Sequence, residues 1–409
     1  TSPAMFTWRR MSDSGGRALF LSPEAPYPVV GGGPLRTASL LEFLAQRYTV
    51  DVILFHDPDA PSPASALPSG VAKRVLELPL PRHSRHWSAR VARNLERLSR
   101  NVPPLVDRFA GFGEQISQFL QGASYDLAVV EHFWGAPYWP QIAPHCRHTI
   151  LDLHNIESDW HERCGQFSGW LQSFAHEQFR QAARQLERDW LGRYSLLLAT
   201  SSTDADRLRR IAPEARTAVY PNAVPLVPVP QVEERDTVVF SGTFDYEPNQ
   251  SAVRYFSREI WPLLRNEWPV LCWSLVGRKP ESLGALVNGD PRIVCTGMVE
   301  DAVSHLATAK VAVAPMLAGS GTRLKIIEAW AAARPVVSTS FGAEGLPVRN
   351  GINILLADSP STFAAAVSRL LASAPLRQQI GKAGRALYES EFTWCAAWRT
   401  LDEHLKSLE

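Results

Sequence analysis

Residues 314–332 read APMLAGSGTRLKIIEAWAA, and their reading decides how the rest of the chain is parsed. An apolar run at 311–314 enters a loop holding Gly319, Ser320, Gly321 and Thr322, and an amphipathic helix over 322–333 leaves it. Glycine tolerates positive φ and lets a ligand approach the backbone. The first turn of a helix presents N–H groups without intrahelical partners and the positive end of the dipole. Strand, glycine turn and helix N-terminus in that order make an anion site suited to a diphosphate. Arg323 and Lys325 add positive charge there, and Glu328, deeper in the helix, offers a carboxylate suited to two vicinal hydroxyls such as those of a ribose. A plain tight turn capped by Thr322 would use the same residues.

Working outward, short apolar runs at 18–21, 50–55, 127–130, 149–153 and 196–200 alternate with helical patterns such as 35–46 and 168–194. Pro221, Pro225, Pro228 and Pro230 then interrupt the pattern, since neither a helix interior nor a central strand accepts proline at that density. The alternation resumes with strands at 238–240, 271–276, 292–296, 311–314 and 335–338, and with helices starting at 249, over 302–309 and over 322–333. This is an α/β chain with two Rossmann-like, doubly wound parallel sheets. The expected layout is a disordered leader at 1–17, a first domain at 18–222, a proline-rich linker at 223–236, a second domain at 237–390 and a terminal helix at 391–409. Phe392, Cys395, Trp398, Leu401 and Leu405 give that helix one apolar face, which either caps the second domain or crosses back to the first. Ligands of such sheets lie beyond the C-terminal ends of the strands, so the expected site is a cleft between the two domains.

Bulk properties exclude several classes. At 409 residues the chain exceeds one ordinary core, and a formal net charge of +1 gives no global field for nucleic acid. Five scattered cysteines without a CxxC pair point to free thiols in a reducing, cytoplasmic compartment rather than to disulfides or a metal site. No apolar run approaches the ~20 residues of a membrane span, and the polar start has no secretory apolar region. A GxSxG elbow, an HExxH pair and a GxGxxG fingerprint with its acid are all missing, which leaves no support for hydrolase, zinc or dinucleotide redox chemistry. Residues 82–108 are locally basic, with Arg85, Arg90, Arg93, Arg97 and Arg100 against Glu96, and Trp87, Val91, Leu95 and Leu98 form a helical stripe. The favoured reading is a helix packed by its stripe with a solvated basic face. The other is a basic amphipathic helix in peripheral contact with a membrane.

The motifs resemble those of glycosyltransferase family 4, the glycosyl transferases of group 1. GSGTRLKIIEAWAAARPVVST at 319–339 looks like that family's donor-site signature. PNAV at 221–224, FSGTFDYEPN at 240–249, TGMVED at 296–301 and GAEGL at 342–346 follow in the family's order. The similarity is strong over 219–348 and weak in the first domain. It implies a GT-B fold and a retaining, metal-independent transferase, a hexosyltransferase by preference. No cofactor is expected beyond the nucleoside diphosphate sugar co-substrate, UDP-sugar favoured over GDP-sugar. The acceptor would be a saccharide, a lipid-linked or a small-molecule hydroxyl.

Residue by residue, the resemblance gives Glu328 the ribose, Val299 and its neighbours the nucleobase through backbone groups, and Gly242 a place in the opening loop of the donor domain. The first member of the family's glutamate pair falls on Ser320, so its sugar contact does not carry over. The family's basic pair after the opening strand is not evident either, and Arg323 and Lys325 stand in for it. Gly32 and Gly33, within Gly31–Gly33, resemble a glycine-rich loop that meets donor phosphate, with Arg36 either an anion ligand or a solvated charge. His154, in LDLHNIE, matches the histidine facing the transferred sugar; Glu131 and His132, after the preceding strand, are acceptor-side candidates. Asp152 reads as a structural hydrogen-bonder. A sugar-nucleotide epimerase and a catalytically degenerate binding partner are the alternatives.

Overall fold

The computed structural model describes residues 15–29, 31–84, 86–166, 170–287, 289–319 and 323–408. Most of the expected leader, Arg85, and the loop residues Ser320, Gly321 and Thr322 lie outside them. The chain forms two compact units, one of Thr1–Tyr220 with Leu401–Glu409 and one of Pro221–Thr400.

The first unit is a seven-stranded sheet: β1 (Arg17–Ser22), β2 (Thr49–His56), β3 (Arg74–Pro79), β4 (Tyr125–Glu131), β5 (Cys146–Leu153), β6 (Leu196–Ala199) and β7 (Thr217–Val219), in the order β3-β2-β1-β4-β5-β6-β7. All pairs are parallel; Phe20 of β1 lies opposite Val52 on one side and Val129 on the other. Ala18, Leu19, Phe20 and Leu21 are fully buried, as expected of a strand covered by helices on both faces. The second unit holds β8 (Arg235–Ser241), β9 (Cys272–Val276), β10 (Ile293–Gly297), β11 (Ala309–Ala314), β12 (Val336–Ser338) and β13 (Leu355–Leu356), in the parallel order β10-β9-β8-β11-β12-β13. Each sheet therefore reverses its winding beside its first strand, at β1/β4 and at β8/β11. Crevices form at such switch points.

The two doubly wound α/β sheets agree with the sequence reading. The helix expected at 35–46 begins earlier, as Gly32–Ala45, so Gly32 and Gly33 are its first turn rather than a loop. Only Gly31, the cap residue at φ 97, has the backbone that requires glycine. The pattern at 168–194 is the helix Trp170–Trp190, and a separate helix, Glu157–Gln166, precedes it. The helix expected at 322–333 is Leu324–Ala331, with Arg323 as its cap residue. The basic helix is Trp87–Arg100, but its stripe is not packed: Trp87, Val91 and Leu95 are 71%, 49% and 61% exposed. No helix among the described residues is long and apolar enough to cross a membrane.

Within the second unit the proline-rich segment is strapped down by side chains. Tyr388 Oη donates to the Pro225 carbonyl at 2.7 Å, and Arg385 donates to the Val227 carbonyl at 2.6 Å. Proline removes donors but leaves carbonyls, so donors must come from side chains. The same helix, Ala374–Glu391, fixes the Leu324–Ala331 helix. A Cβ on Gly384 would fall 2.3 Å from the Trp330 ring, whose Nε1 donates to the Asn353 carbonyl at 3.1 Å. The residues Leu324–Ala331 projects on its other side are thereby held in place.

Candidate functional site

At the β8/β11 switch point of the second unit, four segments converge. β8 ends at Ser241 and turns through Gly242, whose N–H donates to the Val276 carbonyl at 2.9 Å. Gly277, at φ 144, approaches so closely that a Cβ there would lie 1.8 Å from the Gly242 carbonyl oxygen. Asn249, in the first turn of the helix Glu247–Tyr255, donates to the Thr243 carbonyl at 2.8 Å and so pins that turn. Beyond β11, Gly319 takes φ 119, and Arg323 donates to its carbonyl at 3.2 Å.

Lys325 and Glu328 leave the Leu324–Ala331 helix one turn apart, on the side away from buried Ile326, Ile327 and Trp330. Lys325 Nζ donates to Asn249 Oδ1 at 2.7 Å, lies 3.5 Å from Met316 Sδ and sits 4.7 Å from the Phe240 ring centroid. Its pKa falls to about 7, because burial and the nearby Arg323 charge outweigh the help of Glu328. The residue is half-buried and its hydrogen-bond partner is a neutral amide. Burial raises the Glu328 carboxyl, opposed by Lys325 and by a 3.4 Å bond from Ser241 Oγ. Arg323 is 6% exposed, with its guanidinium 5.2 Å from the Phe341 ring centroid. Two cations, a carboxylate and a backbone turn shaped by Gly242 and Gly319 thus share the end of one sheet. Val299, after β10, is half-buried beyond the same sheet end. Ser320, Gly321 and Thr322 lie outside the described residues, so the centre of the expected anion turn is not part of this geometry.

The first unit gathers a different chemistry at its own switch point. Arg36 is 2% exposed and grips Asp152, with Nε 2.8 Å from Oδ2 and Nη2 2.5 Å from Oδ1; it also donates to the Tyr220 carbonyl at 2.6 Å. It is neither an anion ligand nor a solvated charge, because it neutralises a buried aspartate. Asp152 is accordingly the structural hydrogen-bonder expected of it, and despite burial its carboxyl is held far below the usual range by Arg36 and His154. His154 Nε2 lies 3.3 Å from Asp152 and 3.8 Å from Glu131. Burial disfavours its charge, but the two carboxylates win and raise its pKa to about 9. Glu131 accepts from Ser22 Oγ at 2.9 Å.

His132 has φ 58, a backbone region sparsely used by non-glycine residues and concentrated at functional sites. Its ring stacks on Trp134 at 4.3 Å and lies 3.7 Å from that of His154. Burial and the His154 charge hold its pKa down, against the pull of Glu24, whose carboxylate is 3.7 Å away. Glu24 also explains Gly33: a Cβ there would fall 2.3 Å from Glu24 Oε2. The first turn expected to meet donor phosphate already faces a carboxylate. His154 Nε2, His132 Nε2 and Glu131 Oε1 are buried without hydrogen-bond partners, so a polar ligand would complete them. Glu131, Asp152 and His154 also present atoms within 4.8 Å of one another that could hold a metal ion, although Arg36 already holds both Asp152 oxygens.

Sequence reasoning missed Ser241, Asn249 and Met316 in the second unit and Ser22, Glu24 and Trp134 in the first. Asn249 alone carried a signal, as an amide following proline at a helix start after a glycine turn.

Residues 235–373 match the glycosyl transferases group 1 family model, so the family signature covers most of the second unit. No curated protein matches the chain in sequence. Among solved structures the chain is similar to sucrose-phosphate synthase from Thermosynechococcus elongatus, at 18% identity and TM-score 0.70 over 96% of this chain and 99% of that one. It is also similar to Anabaena HepE in complex with UDP and glucose, at 16% identity and TM-score 0.66 over 96% and 100%. A third is a mutant of S. aureus TarM in complex with fondaparinux, alpha-GlcNAc-glycerol and UDP, at 11% identity and TM-score 0.64 over 95% and 99%. The fold shared with these structures is GT-B.

Proposed function

We propose that the chain is a family 4-type glycosyltransferase that moves a hexose from a nucleoside diphosphate sugar, UDP-sugar by preference, to a hydroxyl acceptor with retention at the anomeric carbon. The observation that carries this is the convergence of Arg323, Lys325 and Glu328 at the β8/β11 switch point of a unit matching the glycosyl transferases of group 1. Glu328 would accept both ribose hydroxyls. Arg323 and Lys325 would stabilise the charge that grows on the leaving diphosphate, a pre-organised electrostatic role that fixed cations can fill without a metal. Solved relatives in fold contain UDP and UDP-glucose, which supports a uridine donor.

In the transfer step the bond from the anomeric carbon to the diphosphate oxygen breaks as the acceptor oxygen attacks from the same face. The acceptor proton passes to the departing oxygen, and no protein nucleophile is needed. Glu131, His132 and His154 would hold sugar or acceptor hydroxyls; His154, as a cation between two carboxylates, is suited to donating a hydrogen bond. A cytoplasmic setting fits the free thiols.

Thermal unfolding with UDP-, GDP-, ADP- and TDP-sugars tests the reading. A ligand at 100 times its dissociation constant adds ~2.7 kcal/mol of stability. A shift with UDP-sugars that is lost in Glu328→Ala is the expected result. A folded protein that no nucleotide sugar stabilises would refute it.

A further inference from the structure

Beyond the C-terminal ends of β2 and β3, the first unit has a cleft of about 770 Å³ lined by Arg82, Arg90, Arg93, Arg97 and Arg108. Against these five cations the lining offers two carboxylates, Asp57 and Asp59, and a third, Asp107, bonds Arg97 at 2.8 Å from outside the lining. Arg82 is paired with Asp59 at 2.8 Å, and Arg108 lies 3.8 Å from Asp57. Arg90 and Arg93 have no carboxylate partner among the described residues; Arg93 donates only to the Ser84 carbonyl, at 2.9 Å. In a chain of net charge +1, an excess of two positive charges in one concavity is a local design.

The neighbouring chemistry agrees. His83, also in the lining, has its pKa lowered by burial and then by Arg93, Arg108 and Arg97, with only Asp107 opposing. Arg90, Arg93 and Arg97 recur at three- and four-residue spacing, so the helix Trp87–Arg100 presents them on one side. On one wall the forks of Arg90 and Arg93, without a carboxylate partner among the described residues, stand beside the Asp107-paired Arg97. That set matches the diverging oxygens of a phosphate better than a single carboxylate, and a phosphate monoester carries close to two negative charges.

We propose that this cleft binds the phosphate or diphosphate group of an anionic acceptor. That the bound molecule is an acceptor rests on the glycosyltransferase reading; that the cleft takes phosphate does not. The exposed stripe of Trp87, Val91 and Leu95 lies about 130° around the same helix from the arginines, so a phosphate carried on a lipid would find apolar surface on the adjoining side of that helix. A free sugar phosphate and a lipid headgroup share the chemistry read here.

The test uses the full chain saturated with UDP, so that the donor site is filled. Inorganic pyrophosphate is titrated calorimetrically, and sedimentation is measured with vesicles of phosphatidylcholine alone and of equimolar phosphatidylcholine and phosphatidic acid. The same is done with Arg90→Ala/Arg93→Ala, one exposed and one half-buried position whose loss leaves the Arg97–Asp107 pair intact. The expected result is binding that weakens about tenfold in the variant, with UDP stabilisation unchanged. Binding of pyrophosphate identifies a soluble phosphate, and binding only of the phosphatidic acid vesicles identifies a headgroup; either supports the cleft. No binding in any arm, or equal binding by the variant, overturns it. Loss of UDP binding in the wild type would instead count against the donor site and leave the pyrophosphate titration interpretable.

Discussion

Lys325 gives the donor-site reading a proton-linkage test. In the ligand-free protein its pKa is about 7, lowered by burial and by Arg323, with Glu328 opposing. The remaining groups against it, Asn249, Met316 and Phe240, carry no charge. A diphosphate beside Lys325 adds negative charge and returns its pKa toward the ordinary 10.5. Binding must then take up a proton wherever the solution pH lies between the free and bound values. At pH 8 the free lysine is roughly one-tenth protonated and the bound one almost fully, so the expected uptake is about 0.9 proton per ligand. Affinity is greatest below pH 7 and falls above it, by roughly fifty-fold or ~2.3 kcal/mol between pH 7 and pH 9. UDP-glucose is the right probe, because its diphosphate diester has no proton to exchange in this range. Calorimetry at pH 8 in buffers of different ionisation enthalpy reads the uptake directly. Lys325→Met, which keeps length and apolar contact, should bind more weakly below pH 7 and exchange almost no proton. Uptake near zero in the wild type, or the same uptake in Lys325→Met, refutes the placement of diphosphate at Lys325.

Three further outcomes follow from the geometry. Arg36→Met strands Asp152 as an unpaired buried charge and should cost ~3–5 kcal/mol in urea unfolding, whereas surface Arg82→Met should change little. His154 has a folded pKa of about 9, above its usual 6.5, so its contribution to stability is complete below pH 6.5 and is lost as pH rises through 9. The difference in urea midpoint between wild type and His154→Gln should therefore shrink across that window, and a difference independent of pH would show that His154 is not held as a cation. Gly277→Ala combines φ 144 with a Cβ 1.8 Å from the Gly242 carbonyl, so it should abolish UDP-sugar stabilisation, while Gly70→Ala, at φ 84 in open space, should leave it intact.

What the sequence disclosed and what it hid divide along physical lines. The strands it revealed were those carrying apolar side chains on both faces, as in Ala18–Leu21. The three it missed, β3, β7 and β13, are all sheet edges. β3 carries Arg74 and Glu77 and ends in Pro79, and β7 and β13 are three and two residues long, so none forms the continuous apolar run of a central strand. The segment around Arg323, Lys325 and Glu328 was legible because its chemistry is local, one strand, one turn and one helix in sequence. The first unit's cluster was only half legible. Strand ends marked Glu131, His132 and His154, but the grip of Arg36 on Asp152 joins residues 116 apart, which no local pattern encodes.

That difference also separates the work the two clusters can do. In the first unit the buried charges are mutually assigned: Arg36 to Asp152, and His154 to Asp152 and Glu131. Such a network has little left to give a strongly charged ligand, and the buried His132 Nε2, which makes no hydrogen bond, suits a neutral hydroxyl. In the second unit the pKa of Lys325 is lowered rather than raised, so its positive charge is poorly compensated by what surrounds it. A cation in that condition gains most from an arriving anion. On the proposed glycosyltransferase reading these electrostatics favour the diphosphate in the second unit and sugar hydroxyls in the first, since exchanging the two assignments would leave a diphosphate facing Glu131 and Asp152.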